Sequence, residues 1–119
     1  TSSTFSFGDV VLVPFPFTDQ SGTKKRPAAV IFPAKYNASR RNIVFLAITS
    51  RVGSRLAFGE TPVDDWQTAS LLEQSVLKPV FTSIEQGLVI RMMGKLAAWN
   101  VKTLHRVIRD ALDVERPGN

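Results

Sequence analysis

Two prolines set two residues apart close the first apolar run of this chain, and they limit what that run can become. Gly8-Asp9-Val10-Val11-Leu12-Val13-Pro14-Phe15-Pro16-Phe17 is rich in Val and Phe, residues that suit a half-buried pleated surface. Proline has no N–H to give to a ladder, so a strand over residues 8–15 must end, bend or lie at a sheet edge near Pro14 and Pro16. A polar, glycine-bearing stretch follows, Thr18-Asp19-Gln20-Ser21-Gly22-Thr23, and then three successive cations, Lys24-Lys25-Arg26, ahead of Pro27 and a second apolar run. This is the pattern of a β-hairpin with a polar tip and a strongly positive returning base. A strand end is a rigid mount, and a cationic loop above it suits an anionic polymer.

Glycine and proline punctuate the remainder into similarly short pieces. Strands are predicted over residues 26–32, 42–49, 57–63, 76–83 and 88–93. A polar turn is expected over 34–41, a basic loop over 51–55, one helical turn within 65–71, and a break at Glu85-Gln86-Gly87. Asn100 is the predicted N-cap of a closing helix, with Val101, Leu104, Ile108, Ala111 and Leu112 at helical spacing, and residues 116–119 read as a tail. Short strands, one terminal helix and a length of 119 residues argue for a single domain: a strongly bent antiparallel sheet around one core.

Composition narrows the function classes. At 44% hydrophobic and 21% charged residues the chain is expected to fold rather than stay disordered. No apolar run reaches the roughly 18–20 residues of a membrane-spanning helix, so no membrane partner is expected. Cysteine is absent, which excludes disulfides and thiolate metal sites. With one histidine and no recognisable ligand spacing among the carboxylates, neither a metal nor another cofactor is expected. Thr1 to Thr4 carry no cationic segment ahead of an apolar one, so a cytoplasmic protein is the expectation.

The formal net charge is +5, and its distribution says more than its total. Residues 1–58 carry +6, residues 59–77 carry −4 through Glu60, Asp64, Asp65 and Glu73, and residues 78–119 carry +3. A basic half beside an acidic segment describes a polarised surface, for which nucleic acid is the natural anionic partner.

The opening phrase from Gly8 to Pro27 resembles that of the MazF/PemK family of toxin endoribonucleases, and the resemblance continues at Ala47-Ile48-Thr49-Ser50, at Leu72 to Ser75 and at Lys78-Pro79. It covers most of residues 7–112. Ala69-Ser70 stands where the family commonly has glycine, and Gln74 where it commonly has proline. The resemblance implies an SH3-like barrel with an appended helix, usually a two-fold homodimer. It implies the toxin of a type II toxin–antitoxin pair that cuts single-stranded RNA without metal at a short sequence. The ribose 2′-OH would attack, leaving a 2′,3′-cyclic phosphate (or 3′-phosphate) and a 5′-hydroxyl. A cognate antitoxin with an acidic, apolar-studded disordered segment is implied as partner, the complex of the two binding DNA. Gyrase-poisoning toxins share the same barrel, and a noncatalytic nucleic-acid-binding barrel is a third reading, since fold does not fix function.

Metal-free RNA cleavage needs activation of the 2′-OH, stabilisation of charge on the phosphorane and a proton for the leaving oxygen. Arg26 stands where loop meets strand, and a guanidinium can donate in parallel to two phosphate oxygens. From the residues alone it reads equally as a surface cation; Lys25-Arg26-Pro27 matches the family and implies a catalytic role. Thr49, a neutral hydroxyl at a strand end, would alone be read as β-propensity, and its place in Ile48-Thr49-Ser50 likewise implies catalysis. Ser50, Arg51, Lys24, Lys25 and Arg55 are expected RNA-backbone contacts, and Ser75 lies in a segment that the family places near the site. Asp19 could take part in proton transfer or RNA contact, with an Asx-type turn the favoured reading. The general base is left unassigned. His105 reads as a helix-surface or interface residue, and Trp66 and Trp99 as core or dimer-interface packing.

Overall fold

The hairpin forms, and its returning arm starts earlier than the cation run suggests. Strand β1 (Asp9–Pro16) pairs antiparallel with β2 (Thr23–Val30) in one register from Val10↔Ala29 to Pro16↔Thr23. Lys24 and Lys25 therefore belong to the ladder, opposite Phe15 and Pro14, and the strand predicted from residue 26 begins at Thr23. These features come from a computed structural model, which describes residues 4–16, 23–51, 53 and 55–114. Asp19 and the rest of the polar tip lie outside the described residues.

The prolines find the position their chemistry requires. On its other side β1 pairs with β6 (Arg91–Lys95) only from Asp9↔Lys95 to Leu12↔Arg91, so that ladder ends before Pro14. The other elements are α1 (Ala34–Asn37), β3 (Asn42–Ser50), β4 (Thr61–Pro62), β5 (Ser75–Glu85) and α2 (Ala98–Ala111). All six strands join one antiparallel sheet in the order β4-β5-β3-β2-β1-β6. Register shifts at Val10/Val11 and at Leu46/Ala47 are bulges, which bend the strands and raise their twist. The result is the expected small barrel of bent antiparallel strands, partly open, with a C-terminal helix.

Alternation along the strands splits the buried side chains into two groups. Val10, Ala29, Leu46, Ile48 and Leu77 meet Leu104 and Val107 of α2 on one side. Val11, Val13, Phe15, Ala28, Val30, Phe45 and Ala47 pack together on the other. Each such Val, Leu or Phe contributes about 1.5–3 kcal/mol by leaving water. Asp9 ties the first and last strands: it is only 3% exposed, its Oδ1 lies 2.6 Å from Lys95 Nζ, and its Oδ2 accepts from the Ser6 N–H at 2.8 Å.

Several expected boundaries move, each for a local reason. Residues 34–41 contain the short helix α1 rather than only a turn; Asn37 Nδ2 donates to the carbonyls of Phe5 and Phe32 at 2.8 and 2.9 Å and anchors it. The strand predicted over 57–63 shrinks to Thr61–Pro62. The strand predicted over 88–93 shifts, because Gln86–Leu88 form a 3-10 turn and the ladder with β1 starts only at Arg91, just after Ile90, whose N–H donates to Leu12 O at 2.8 Å. Residues 65–71 form turns without a helix.

Asn100 is not the N-cap. Ala97 takes that position with extended backbone, its carbonyl accepting from the Val101 N–H at 2.9 Å. Asn100 lies in the first turn, fully buried, and its Oδ1 accepts from the Asp65 N–H at 3.0 Å. It thus pins the 64–70 turns to the helix. Replacing Asn100 by Ala removes the partner of the Asp65 amide and empties a fully buried polar site, and should cost about 1–3 kcal/mol, read as a lowered urea midpoint. An unchanged midpoint would mean that the turn is held by other contacts.

Candidate active-site cleft

The ladder between β2 and β3 consists of Val30↔Phe45, Ala29↔Leu46 and Ala28↔Ala47, and there it stops. Continued by two residues, the same register would set Arg26 opposite Thr49; one step further it would set Lys25 opposite Ser50. The two strands instead part at this point. Arg26 pairs with Val13 across β1–β2, and Thr49 lies two residues beyond Ala47. Val13 and Ala47 belong to the same buried group, so Arg26 and Thr49 leave the sheet on a shared side.

A cleft of about 400 Å³ occupies this fork. Lys24, Lys25, Arg26 and Arg91 bring four cations to it, Thr49, Ser50 and Ser75 bring hydroxyls, and Leu12, Ile48 and Met93 give it apolar lining. Glu73 brings the one carboxylate that lines it among the described residues. Arg26 and Thr49 are half-buried, while Lys24, Lys25, Ser50 and Glu73 are exposed. A charge in such a partly shielded groove acts on a bound phosphate more strongly than it would in open water.

The segment Leu71 to Gln74 is placed over the fork by backbone contacts on both sides. The Arg51 N–H donates to Gln74 O at 2.8 Å, and Ser50 pairs with Ser75 at the start of β5. Behind it the 69–70 turn packs directly on β6. A Cβ on Gly94 would lie 2.8 Å from the Ala69 carbonyl oxygen, so only glycine permits this approach. Ser50 Oγ donates to Glu73 Oε1, a short contact that joins the end of β3 to this segment.

Six of the residues singled out in the sequence therefore share one cleft: Lys24, Lys25, Arg26, Thr49, Ser50 and Ser75. Arg51 lines a separate cavity of about 170 Å³ with Asp64 and Trp66, and Arg55 lines neither. His105 lies on α2 with its ring stacked on Phe7, centroids 4.4 Å apart. Trp66 packs against the core, whereas Trp99 is 62% exposed at the start of α2. Sequence reading missed Glu73, Arg91 and Leu72, the last an 86% exposed apolar side chain at the cleft. Glu73 and Leu72 stand inside the Leu72-to-Ser75 motif, which carried the signal. Arg91 had none, because only its pairing with Leu12 brings it here.

The comparisons with known proteins agree with this architecture. The chain belongs to the family of PemK-like, MazF-like toxins of type II toxin–antitoxin systems, whose family model matches residues 6–112. Among solved structures it is similar to the Mycobacterium tuberculosis toxin MazF-mt6, with 23% identity over 91% of this chain and 99% of that one and a TM-score of 0.72. It is also similar to a MazE-MazF structure (Form-III) from Deinococcus radiodurans, with 19% identity, 95% and 100% coverage and a TM-score of 0.73. A third likeness is to an endoribonuclease in complex with its cognate antitoxin from a Mycobacterial species, with 12% identity, 95% and 99% coverage and a TM-score of 0.75. At these identities the likeness is one of fold. No curated protein matches the chain significantly.

Ser75 has a structural task at the cleft edge. It is 5% exposed, and its Oγ donates to the Glu73 carbonyl at 2.8 Å. Ser75→Ala should lower stability by about 1 kcal/mol in a denaturant titration, the usual net worth of one such bond. A stability equal to wild type would leave direct substrate contact as the hydroxyl's role.

Proposed function

We propose that this protein is a toxin endoribonuclease that cleaves single-stranded RNA without metal, the ribose 2′-OH attacking to leave a 2′,3′-cyclic phosphate and a 5′-hydroxyl. The observation that carries the reading is the convergence of Arg26 and Thr49 on one cleft at the β2–β3 fork, beside Lys24, Lys25 and Arg91. A scissile phosphate seated there meets a guanidinium able to donate to two of its oxygens as charge builds in the phosphorane. Thr49 supplies a neutral hydrogen bond that positions the phosphate or the attacking hydroxyl. The lysines hold the flanking backbone as point charges. Unpaired bases of a single strand can splay out and be read at their edges, which suits a sequence-selective cutter.

The partners follow from the same surface. An antitoxin segment that blocks this cleft must match its cations with acidic residues and its exposed Leu72 with apolar ones. A segment that is disordered when free can cover such a surface and still be removed by proteolysis. Edge strand β6 and the turn before it expose Leu88, Ile90 and Met92, an apolar row that supports a homodimer. The whole domain acts as one unit in the cytoplasm.

Purified protein incubated with a long RNA in EDTA should generate 5′-hydroxyl ends at a short recurring sequence. Retention of RNA without cleavage would mark a binding barrel, and neither would mark a toxin that acts on another target. Arg26→Ala should lower the cleavage rate about 100–1000-fold with the fold intact, and Arg26→Lys should restore little of it. Turnover near wild type in Arg26→Ala would remove this residue from the mechanism. RNA affinity should fall with salt at about −0.7 log units per phosphate contact. Changing Lys24 and Lys25 together to Ala should flatten that slope without altering the sequence cut; an unchanged slope would place the RNA elsewhere.

A further inference from the structure

We propose that the outward face of α2 is a second binding surface for single-stranded RNA, with Trp99 stacking on a base and Lys102, Arg106 and Arg109 holding phosphates. It concerns binding alone and does not need the nuclease reading. The helix turns its inward face to the core: Leu104 and Val107 are buried there, and Val101 and Ile108 pack against the same group. At about 3.6 residues per turn, positions 99, 102, 106 and 109 fall together on the opposite side. They line a cavity of about 400 Å³ with Thr103 and with His105, whose ring is held against Phe7. Every residue of that lining belongs to α2.

Two properties of this face point to a nucleic acid. The first is its charge: the lining holds Lys102, Arg106 and Arg109 and no carboxylate. Among the described residues none of these three cations has an ion pair, although a solvated surface ordinarily mixes both signs. Glu60 and Asp110 lie off the row, in a neighbouring cavity that Arg106 also borders. Steps of three and four residues set successive cations about 5–6 Å apart, in a row of about 10 Å that a polyanion can follow. The second property is Trp99, 62% exposed at the head of that row. An indole in water returns nothing to the fold, whereas beside a row of cations it is a platform for an unpaired base. Aromatic rings interleaved with cations are how single strands are held with little regard to sequence.

This surface shares no lining residue with the cleft. α2 packs on the side of the sheet that carries Val10, Leu46 and Leu77, whereas Arg26 and Thr49 leave the sheet on the side of Val13 and Ala47. A short RNA therefore fills the cleft alone, and a long one engages both places. A second contact on the same strand raises overall affinity through effective concentration, without altering what the cleft selects.

The test measures binding of two 2′-O-methyl RNAs, one of about 6 nucleotides and one of about 20, which bracket the usual single-strand site sizes. Neither has a free 2′-OH to attack, so both stay whole. Lys102→Ala combined with Arg106→Ala changes two exposed side chains. It should weaken binding of the long strand about tenfold at low salt and flatten its salt slope by about 1.4 log units, two contacts at about 0.7 each. The short strand should bind as before, which also shows the variant to be folded. Trp99→Ala should weaken the long strand about tenfold, and Trp99→Phe should restore most of that, because the smaller ring still stacks. Long-strand affinity and slope unchanged in the double variant overturn the proposal. An equal loss on both strands overturns it as well, since the cleft would then have been disturbed. Variants that alter the sedimentation of the protein but not its RNA binding assign this face to contact between copies of the chain, and overturn it too. A Trp99→Phe variant no better than Trp99→Ala removes the stacking role. Wild-type protein that meets every expectation here but cuts no ordinary RNA sinks the nuclease reading and leaves this surface standing.

Discussion

Three residue pairs, Ala28↔Ala47, Ala29↔Leu46 and Val30↔Phe45, hold β2 to β3, and the short length of that ladder is the constraint on which the site depends. Both strands continue past it, β2 toward Lys24 and β3 to Ser50, but each follows a different partner there. β2 stays with β1 as far as Pro16↔Thr23, and β3 stays with β5 as far as Ser50↔Ser75. The bulge at Leu46/Ala47 bends β3 at the level where the divergence begins. The fork is thus produced by two long ladders pulling apart over a short one. Side chains rooted in strands on either side line one gap of about 400 Å³, mounted on strand backbone.

The electrostatics of the cleft follow from that geometry. Lys24, Lys25 and Arg26 are contiguous in the chain, and alternation along a strand would scatter them over both faces of a flat sheet. At a diverging strand end both faces open onto the same groove, so all three line it, and Arg91 joins them from the edge strand. Glu73 among these cations is a local inversion of charge, which gives the groove a donor side and an acceptor side instead of a uniform field.

The far side of the molecule is built for stability. Asp9 and Lys95 join the first strand to the last, Asn37 and Asn100 satisfy backbone groups in loops that would otherwise be held only by packing, and α2 closes over Val10, Leu46 and Leu77. The histidine and the exposed tryptophan of α2 lie outside the cleft, so residue type alone points to the wrong part of the chain for chemistry. The residues that gather at the fork are individually ordinary, and their proximity is what distinguishes them.

By itself the sequence determined the local elements whose causes are local. Pro14 and Pro16 end the β1–β6 pairing, the Val- and Phe-rich runs become strands, the terminal periodicity becomes α2, and the opening phrase with Ile48-Thr49-Ser50 marks the two strand ends that meet. Where cause is not local the reading failed in recognisable ways. Asn100 has the side chain of a cap, yet it is drawn into the core by the Asp65 N–H, a partner known only once the 64–70 turns have docked. Ser75 stood out by its motif, but its hydroxyl serves Glu73's backbone, and it is Glu73 that brings a carboxylate, bonded to Ser50, to the groove. Arg51 and Arg55 share the charge of Arg26 but do not line this cleft, since charge alone carries no information about which groove a side chain will enter. Strand alternation and proline chemistry act over a few residues and can be read along a chain. Which residues face one another across β2, β3 and β5 is set by the registers of ladders between distant segments, and those registers exist only in the folded sheet.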